Sequence, residues 1–276
     1  MKTTTTTNII LLSVAILIAS NDLCAQGGYI SFKGGYGIST ASQSLGISGN
    51  SDSLERVKGS LGEGLQAGLV IGTMLNSTVG LELGATWLNG STFQSTYSSS
   101  SSYVKNSSEF SANMLRLFPA IRIASANEGT KLYATVGAAI GLGGKRQILE
   151  SSTHPYYPST EYTQEYSGGI SVGFTGSLGA EFKTGARSFF FTEATIISQS
   201  WAPSKAEITS YSVNGQDKLS TLTTSVRETE FVSETSESGF SSSSDPNQPS
   251  KQLKSYFPMS SIGINVGFRF MLTKKS

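Results

Sequence analysis

The chain has 276 residues, of which 30 are glycine and only 14% are charged, with a formal net charge of +1. A soluble domain carries about 25% charged residues, so this composition speaks against an ordinary water-facing surface. A balance this close to neutral supplies no basic field for nucleic acid, which is excluded as a partner. One cysteine and one histidine rule out a disulfide framework, a cysteine zinc site and a histidine cluster. No metal and no cofactor is expected.

The N-terminal segment reads as an export signal, with Lys2 as its positive start, an apolar core from Ile9 to Ala19 and a small-residue exit at Leu23-Cys24-Ala25. The apolar run is shorter than the roughly 18 residues that a spanning helix needs. The expectation is a signal peptide at 1–25 and a mature chain, 26–276, forming one barrel domain. Cys24 is removed with the signal, and the residues before it match a lipidation signal poorly.

Beyond the signal the chain alternates between apolar and small or polar residues, the period of a strand with one apolar face. The first strand is Tyr29 to Ile38, with Ile30, Phe32, Tyr36 and Ile38 on one side and Ser31, Lys33, Gly35 and Gly37 on the other. A serine-rich loop is expected from Ser39 to Lys58. Gly64 to Thr73 and Thr78 to Leu88 are the next strands, joined by a short turn at Met74 to Ser77. Asn89 to Ser108 has almost no aliphatic content and is expected to be a loop.

Met114 to Ile123 is a strand in which Pro119 lacks a ladder donor, predicting a bulge or strain. A tight turn at Asn127-Glu128-Gly129 leads into Leu132 to Leu142. A polar connection is then expected from Gly143 to Tyr166, and a strand from Ile170 to Lys183. In Ser188 to Trp201 three consecutive phenylalanines hide the register. Placing Glu193 inside puts Phe190, Ala194 and Ile196 outside. Pro203 to Ser255 is the longest connection, either disordered or a hairpin extending its neighbours. Tyr256 to Leu272 is the closing strand.

These eight segments are separated by connections that alternate long and short. Outer-membrane barrels have that asymmetry, with short periplasmic turns and long external loops. The predicted fold is all-β, an eight-stranded antiparallel up-and-down transmembrane β-barrel with long external loops, and the predicted location is the cell outer membrane. Charge placement agrees. Lys33, Glu82, Arg116, Arg122, Glu181, Lys183, Glu193 and Arg269 all fall on the non-apolar register. A lipid-facing Lys or Arg at the midplane would cost about 2–4 kcal/mol.

The alternative of a soluble periplasmic lipid-binding barrel would turn the glycine- and serine-rich face toward water, which is a poor use of a soluble surface. Inside a narrow barrel those residues leave room for long side chains. The lumen charges then have to pair, and Glu82, Glu181 and Glu193 are expected to engage Arg116, Arg122 and Arg269 as a structural plug. Tyr36 and Trp87 are expected near the outer rim of the belt, and Phe182 and Phe270 near the inner rim.

Lys33-Gly34-Gly35-Tyr36-Gly37 in the first strand, the exit at Cys24-Ala25-Gln26 and the closing Ile264-Asn265-Val266-Gly267-Phe268-Arg269-Phe270 resemble the small outer-membrane β-barrel proteins, and most closely the porin-like barrel-domain family of Bacteroidetes type. The resemblance covers essentially the whole mature chain. It implies insertion into outer-membrane lipid by the barrel-assembly machinery, although the chain continues from Phe270 to Ser276 where many such proteins end on an aromatic residue. It also implies an O-glycosylation site at Asp52-Ser53-Leu54.

The expected role is non-enzymatic, structural or in surface interaction and adhesion, with the protein a monomer. Tyr97, Tyr103, Tyr156, Tyr157 and Tyr162 could contact an extracellular ligand through the loops. The alternatives are a narrow channel, or a component of an outer-membrane assembly or secretion complex. A lipid-modifying barrel enzyme would need a histidine paired with a serine or an acid. His154 is followed by Pro155, with no such partner nearby in sequence.

Overall fold

The computed structural model describes residues 27–40, 43–99, 104–126, 129–234 and 245–272. The expected signal peptide with Cys24, the turn residues Asn127 and Glu128, Tyr103 and the tail beyond Leu272 lie outside the described residues. The strands are β1 (Gly28–Ser39), β2 (Gln43–Asn50), β3 (Leu54–Gly59), β4 (Gly64–Met74), β5 (Val79–Gly90), β6 (Phe93–Ser99), β7 (Val104–Ala124), β8 (Lys131–Thr153), β9 (Thr160–Ser167), β10 (Ser171–Lys183), β11 (Ser188–Trp201), β12 (Lys205–Val213), β13 (Gln216–Asp217), β14 (Glu228–Val232), β15 (Ser250–Leu253), β16 (Phe257–Pro258) and β17 (Ser261–Met271).

Eight of these close on themselves in the order β1, β4, β5, β7, β8, β10, β11, β17 and back to β1, every pair antiparallel. The seam joins β1 to β17 from Tyr29↔Met271 to Ser39↔Ser261. Closure leaves no open edge within the bilayer, where an unpaired backbone group would cost several kcal/mol.

The two faces of this wall follow the sequence parity. Phe32, Leu65, Ile121, Val136, Phe174, Leu178, Ile196 and Ile264 all point away from the barrel, with Phe174 77% and Val136 71% exposed. Ser31, Thr86, Arg122, Glu181, Glu193, Asn265 and Arg269 on the alternate positions are buried. An apolar exterior around a polar interior inverts a soluble protein, and it is stable only with lipid as the outer solvent. The barrel is therefore an outer-membrane barrel. In β11, Phe191, Glu193, Ile197 and Gln199 face inward while Ala194 and Ile196 face lipid.

Above this belt the chain departs from the loops read in the sequence. The stretch 89–108 contains β6, and β7 begins at Val104. Gly143 to Tyr166 carries the continuation of β8 together with most of β9. Ser39 to Lys58 forms the β2–β3 hairpin, and Pro203 to Ser255 contributes β12 to β15 and a single helical turn at Thr224–Arg227. β7 and β8 stay paired as far as Lys105↔Thr153. The barrel wall thus runs on into an extracellular collar. Serine and threonine suit its water-facing side, while inward positions such as Ser95, Phe110, Ile148 and Ala206 are buried, and the ladder is inherited from the strands below.

One irregularity marks the boundary. The β7–β8 register shifts between Asn113 and Leu115, opposite Gly143 at φ +61°. This is a bulge in which glycine supplies a backbone conformation that costs other residues. It exchanges the faces of β8, so Tyr133, Thr135 and Ala139 are buried below it and Arg146 and Ile148 above it. The bulge expected at Pro119 is not there. Its β8 ladder lacks the pairs between Leu117↔Ile140 and Ala120↔Gly137 but resumes in the same register.

The closing strand is also shorter than expected. β17 starts at Ser261; Phe257 and Pro258 form a separate pair with Ser200 and Trp201.

Candidate functional site: a lumen sealed at two levels

At the periplasmic end, the side chains of Glu82 (β5), Arg122 (β7), Glu181 (β10) and Arg269 (β17) meet in the barrel. Arg122 reaches Glu82 at 3.3 Å and Glu181 at 2.9 Å, and Arg269 reaches Glu82 at 3.1 Å and also contacts Glu181. Tyr29 donates to Glu82 at 2.8 Å, and Arg269 Nε donates to the Ser31 hydroxyl at 2.9 Å. The guanidinium of Arg122 lies 3.8 Å from the Tyr133 ring centre and that of Arg269 4.2 Å from the Tyr29 ring centre. Two cations alternating with two anions, walled by aromatic faces, satisfy one another where water is scarce.

One layer outward, Lys33 holds Glu193 at 2.7 Å. Glu193 also accepts from Tyr133 at 2.9 Å and from Asn265 at 3.2 Å. A cavity of about 40 Å³ lies against both charged layers, bordered by Glu82 and Arg269, by Lys33 and Glu193, and further out by Thr86 and Phe118, among others. A second cavity, about 160 Å³ and nearer the periplasmic mouth, is lined by Tyr29, Arg122, Lys131, Glu181 and Arg269.

The upper seal is apolar. Leu61, Leu88, Phe110, Ala112, Met114, Ile148, Trp201 and Met259 form one buried cluster. Two connections cross the mouth to build it. The β3–β4 turn, Ser60 to Gly64, folds inward and the segment before β17 folds to meet it. The Leu61 amide donates to the Pro258 carbonyl at 2.9 Å and the Ser60 hydroxyl to the same oxygen at 3.1 Å. A Cβ on Gly62 would stand 2.1 Å from the Met259 carbonyl oxygen, so only glycine allows this approach. Trp201 is anchored by its indole N–H to the Gly168 carbonyl at 2.9 Å.

Of the eight charged residues picked out by parity, six come together as pairs: Lys33 with Glu193, and Arg122 and Arg269 with Glu82 and Glu181. The other two do not. Lys183 has the inward parity, but it is the last residue of β10 and is exposed at the rim. Arg116 is fully buried yet takes no carboxylate among the described residues; its Nη2 donates instead to the Met259 carbonyl at 2.8 Å. The pairing of Glu193 with a lysine rather than an arginine was also not expected.

Sequence reading missed the upper seal because Leu61 and Trp201 fall beside segments taken as loops and Met259 was read as part of the closing strand, which starts only at Ser261. The available signal was Leu61 between Ser60 and Gly62, an apolar residue held by two small ones. The collar side chain Arg146 was missed as well. It lies 4.2 Å from the Phe257 ring centre and within 5.3 Å of those of Phe110 and Tyr166. Burial lowers its pKa below the usual arginine value.

Closed wall, apolar belt, paired lumen charges and a capped mouth define an eight-stranded outer-membrane barrel with an occluded interior. No protein-family model matches the chain, and none of the curated proteins is similar to it. Among solved structures it is similar to the outer membrane protein OprG from Pseudomonas aeruginosa, at 11% identity and a TM-score of 0.44 over 91% of this chain and 98% of that one. It is also similar to Ail, the attachment invasion locus protein of Yersinia pestis, in complex with the heparin analogue sucrose octasulfate, at 10% identity and a TM-score of 0.31 over 88% and 99% of the two chains. Acinetobacter baumannii CarO shares 14% identity at a TM-score of 0.32 over 89% and 97%.

Proposed function

We propose that this protein is a non-conducting, non-enzymatic barrel that acts at the cell surface through its collar, as a structural or adhesive element. The observation that carries the reading is the combination of a lumen blocked by a charged layer below and an apolar seal above with a wall that continues into ordered sheet outside the membrane. A narrow channel would need a continuous polar path, and the seal interrupts one. The collar presents Tyr156 and Tyr157 at the β8–β9 tip, 81% and 71% exposed, packed beside His154. Aromatic side chains of this kind supply contact area at low entropic cost.

The same reading takes residues 1–25 as a cleaved signal peptide, the barrel-assembly machinery as the insertion route, a monomer as the working form, and the porin-like barrel-domain family of Bacteroidetes type as its kin. The strand pattern around Lys33 to Gly37 and Ile264 to Phe270 supports that kinship.

The test has two arms. Purified full-length barrel in planar bilayers is expected to give no conductance steps; regular steps would overturn the reading in favour of a channel. Cells displaying the protein are expected to adhere to at least one of immobilised heparin, mucin and collagen, and to lose that adhesion when Thr153 to Thr160 is replaced by a short Gly-Asn turn. Equal adhesion with and without the β8–β9 tip would remove the role assigned to the collar.

A further inference from the structure

Outward of the upper seal, the inner face of the collar carries a polar cleft of about 280 Å³. Strands β7, β8 and β9 lie side by side there, and their pairing sets six side chains in two rows. Ser108, Glu150 and Tyr162 stand opposite one another, and Asn106, Ser152 and Thr160 form the next row out. All six border the cleft. They share the face of Phe110 and Ile148, the buried seal residues one row below on β7 and β8. The cleft therefore lies inside the collar, next to the seal.

Hydroxyl, amide, phenol and carboxylate groups converge on this space, and no cation borders it among the described residues. The Glu150 carboxylate accepts from the Tyr162 hydroxyl through Oε2, which fixes its position, while Oε1 has no donor among the described residues. The side chains of Asn106, Ser108, Ser152 and Thr160 likewise make no hydrogen bond to another described residue. Arg146, the cation on the same face of β8, lies two rows below and is enclosed by the rings of Phe110, Tyr166 and Phe257. Three strands at about 4.8 Å spacing and two rows about 7 Å apart give a patch of roughly 10 Å by 7 Å, the footprint of one pyranose ring with its hydroxyls.

We propose, building on the surface role of the collar, that this cleft is a binding site for a neutral saccharide, one hexose or N-acetylhexosamine unit of a glycan. A sugar ring brings several hydroxyls, each both donor and acceptor, to side chains that also donate and accept and are spaced at strand intervals. Glu150 takes a sugar O–H in a charge-assisted bond, about twice as strong as a neutral one. Asn106 offers an amide N–H and a carbonyl to neighbouring hydroxyls. A sulfated or sialylated sugar finds no counter-ion in the cleft and meets the Glu150 charge. The site thus selects for sugars without an anion.

The experiment is saturation-transfer NMR on the purified full-length barrel in micelles of a sugar-free detergent. The probes are neutral oligosaccharides of glucose, galactose, mannose and N-acetylglucosamine, with sialyllactose and heparin-derived oligosaccharides as their anionic counterparts. At least one neutral probe should bind with millimolar affinity, and the anionic ones should not. Glu150→Gln should weaken that binding about tenfold or more and Asn106→Ala about fivefold. Glu161→Gln should leave it unchanged, because Glu161 is exposed on the other face of β9, between Thr160 and Tyr162. The unboiled-gel shift reports that each variant has closed its barrel, and if Glu150→Gln does not close, Asn106→Ala decides. Binding of no neutral probe, binding of the anionic probes alone, or equal weakening by Glu161→Gln would overturn the inference. Adhesion that is lost with the β8–β9 tip while no saccharide binds would overturn the saccharide site and leave the surface role of the collar standing. Adhesion indifferent to the tip, in a barrel that binds a neutral sugar, would remove that role and leave the site.

Discussion

Replacing Val136 by arginine tests the orientation of the wall most directly. Val136 sits at the centre of the β8 segment paired with β10 from Lys131 to Gly141, and its side chain points into the lipid belt, 71% exposed. At the bilayer midplane an arginine on the lipid face costs about 2–4 kcal/mol, falling to roughly 0–1 near the interface. Val136→Arg should therefore shift the folding equilibrium by roughly 30- to 700-fold. Leu132→Arg, on the same face at the periplasmic rim, should shift it little. The assay is reversible urea unfolding in lipid vesicles, followed by the fluorescence of Trp87 and Trp201. A water-facing wall would tolerate both arginines. Equal costs at the two sites, or a gain at Val136, would refute the membrane orientation.

Three further outcomes are expected. Glu82→Gln leaves Arg122 and Arg269 short of one carboxylate and should cost about 3–5 kcal/mol, read as loss of the fast-migrating unboiled form at lower temperature; adding Arg269→Met should recover part of the loss. Gly35→Ala should weaken the β1–β17 seam by about 1–3 kcal/mol or more, because its Cβ would stand 2.2 Å from the Ile264 carbonyl, whereas Gly34→Ala, whose nearest neighbour is 3.7 Å away, should be silent in the same unfolding assay. In the collar, burial and then the hydrogen bond to Glu150 push the pKa of Tyr162 above its ordinary value of 10.0. The folded chain then keeps a proton that the unfolded chain releases, so collar stability should be flat below about pH 10 and fall as pH rises further, with Tyr162→Phe reducing the slope of Trp201 fluorescence against pH.

The barrel was legible in the sequence wherever lipid and lumen impose opposite demands on alternate residues. In β17, Ile264, Phe268 and Phe270 are exposed while Asn265 and Arg269 are buried, as their parity requires. The collar was not legible, because β6, β9 and β12 consist mostly of serine, threonine and half-exposed residues with few buried positions such as Ser95 and Ala206, which blunts the contrast on which alternation depends. Parity also says nothing about depth. Lys183 shares the register of Glu181 but is the last residue of β10, exposed at the rim. Arg116 shares the register of Arg122 but lies out of reach of the carboxylates below. The upper seal depends on two connections bending inward, a tertiary event at which only the apolar Leu61 between Ser60 and Gly62 hints in the sequence.

The seam between β1 and β17 also governs when the molecule can form. Arg269 and Ser31, bonded across it, are 238 positions apart. The ladder that closes the wall therefore has to wait until both ends of the barrel sequence have been synthesised and brought together. Contacts of such long range make folding slow, since the loop entropy is lost before they can repay it. Until the seam closes, β1 and β17 each expose an unpaired edge, a template for pairing with another chain. Secretion of this protein thus commits the cell to guarding an incomplete sheet throughout its transit, until the two strands meet at the close approach that Gly35 and Gly267 permit.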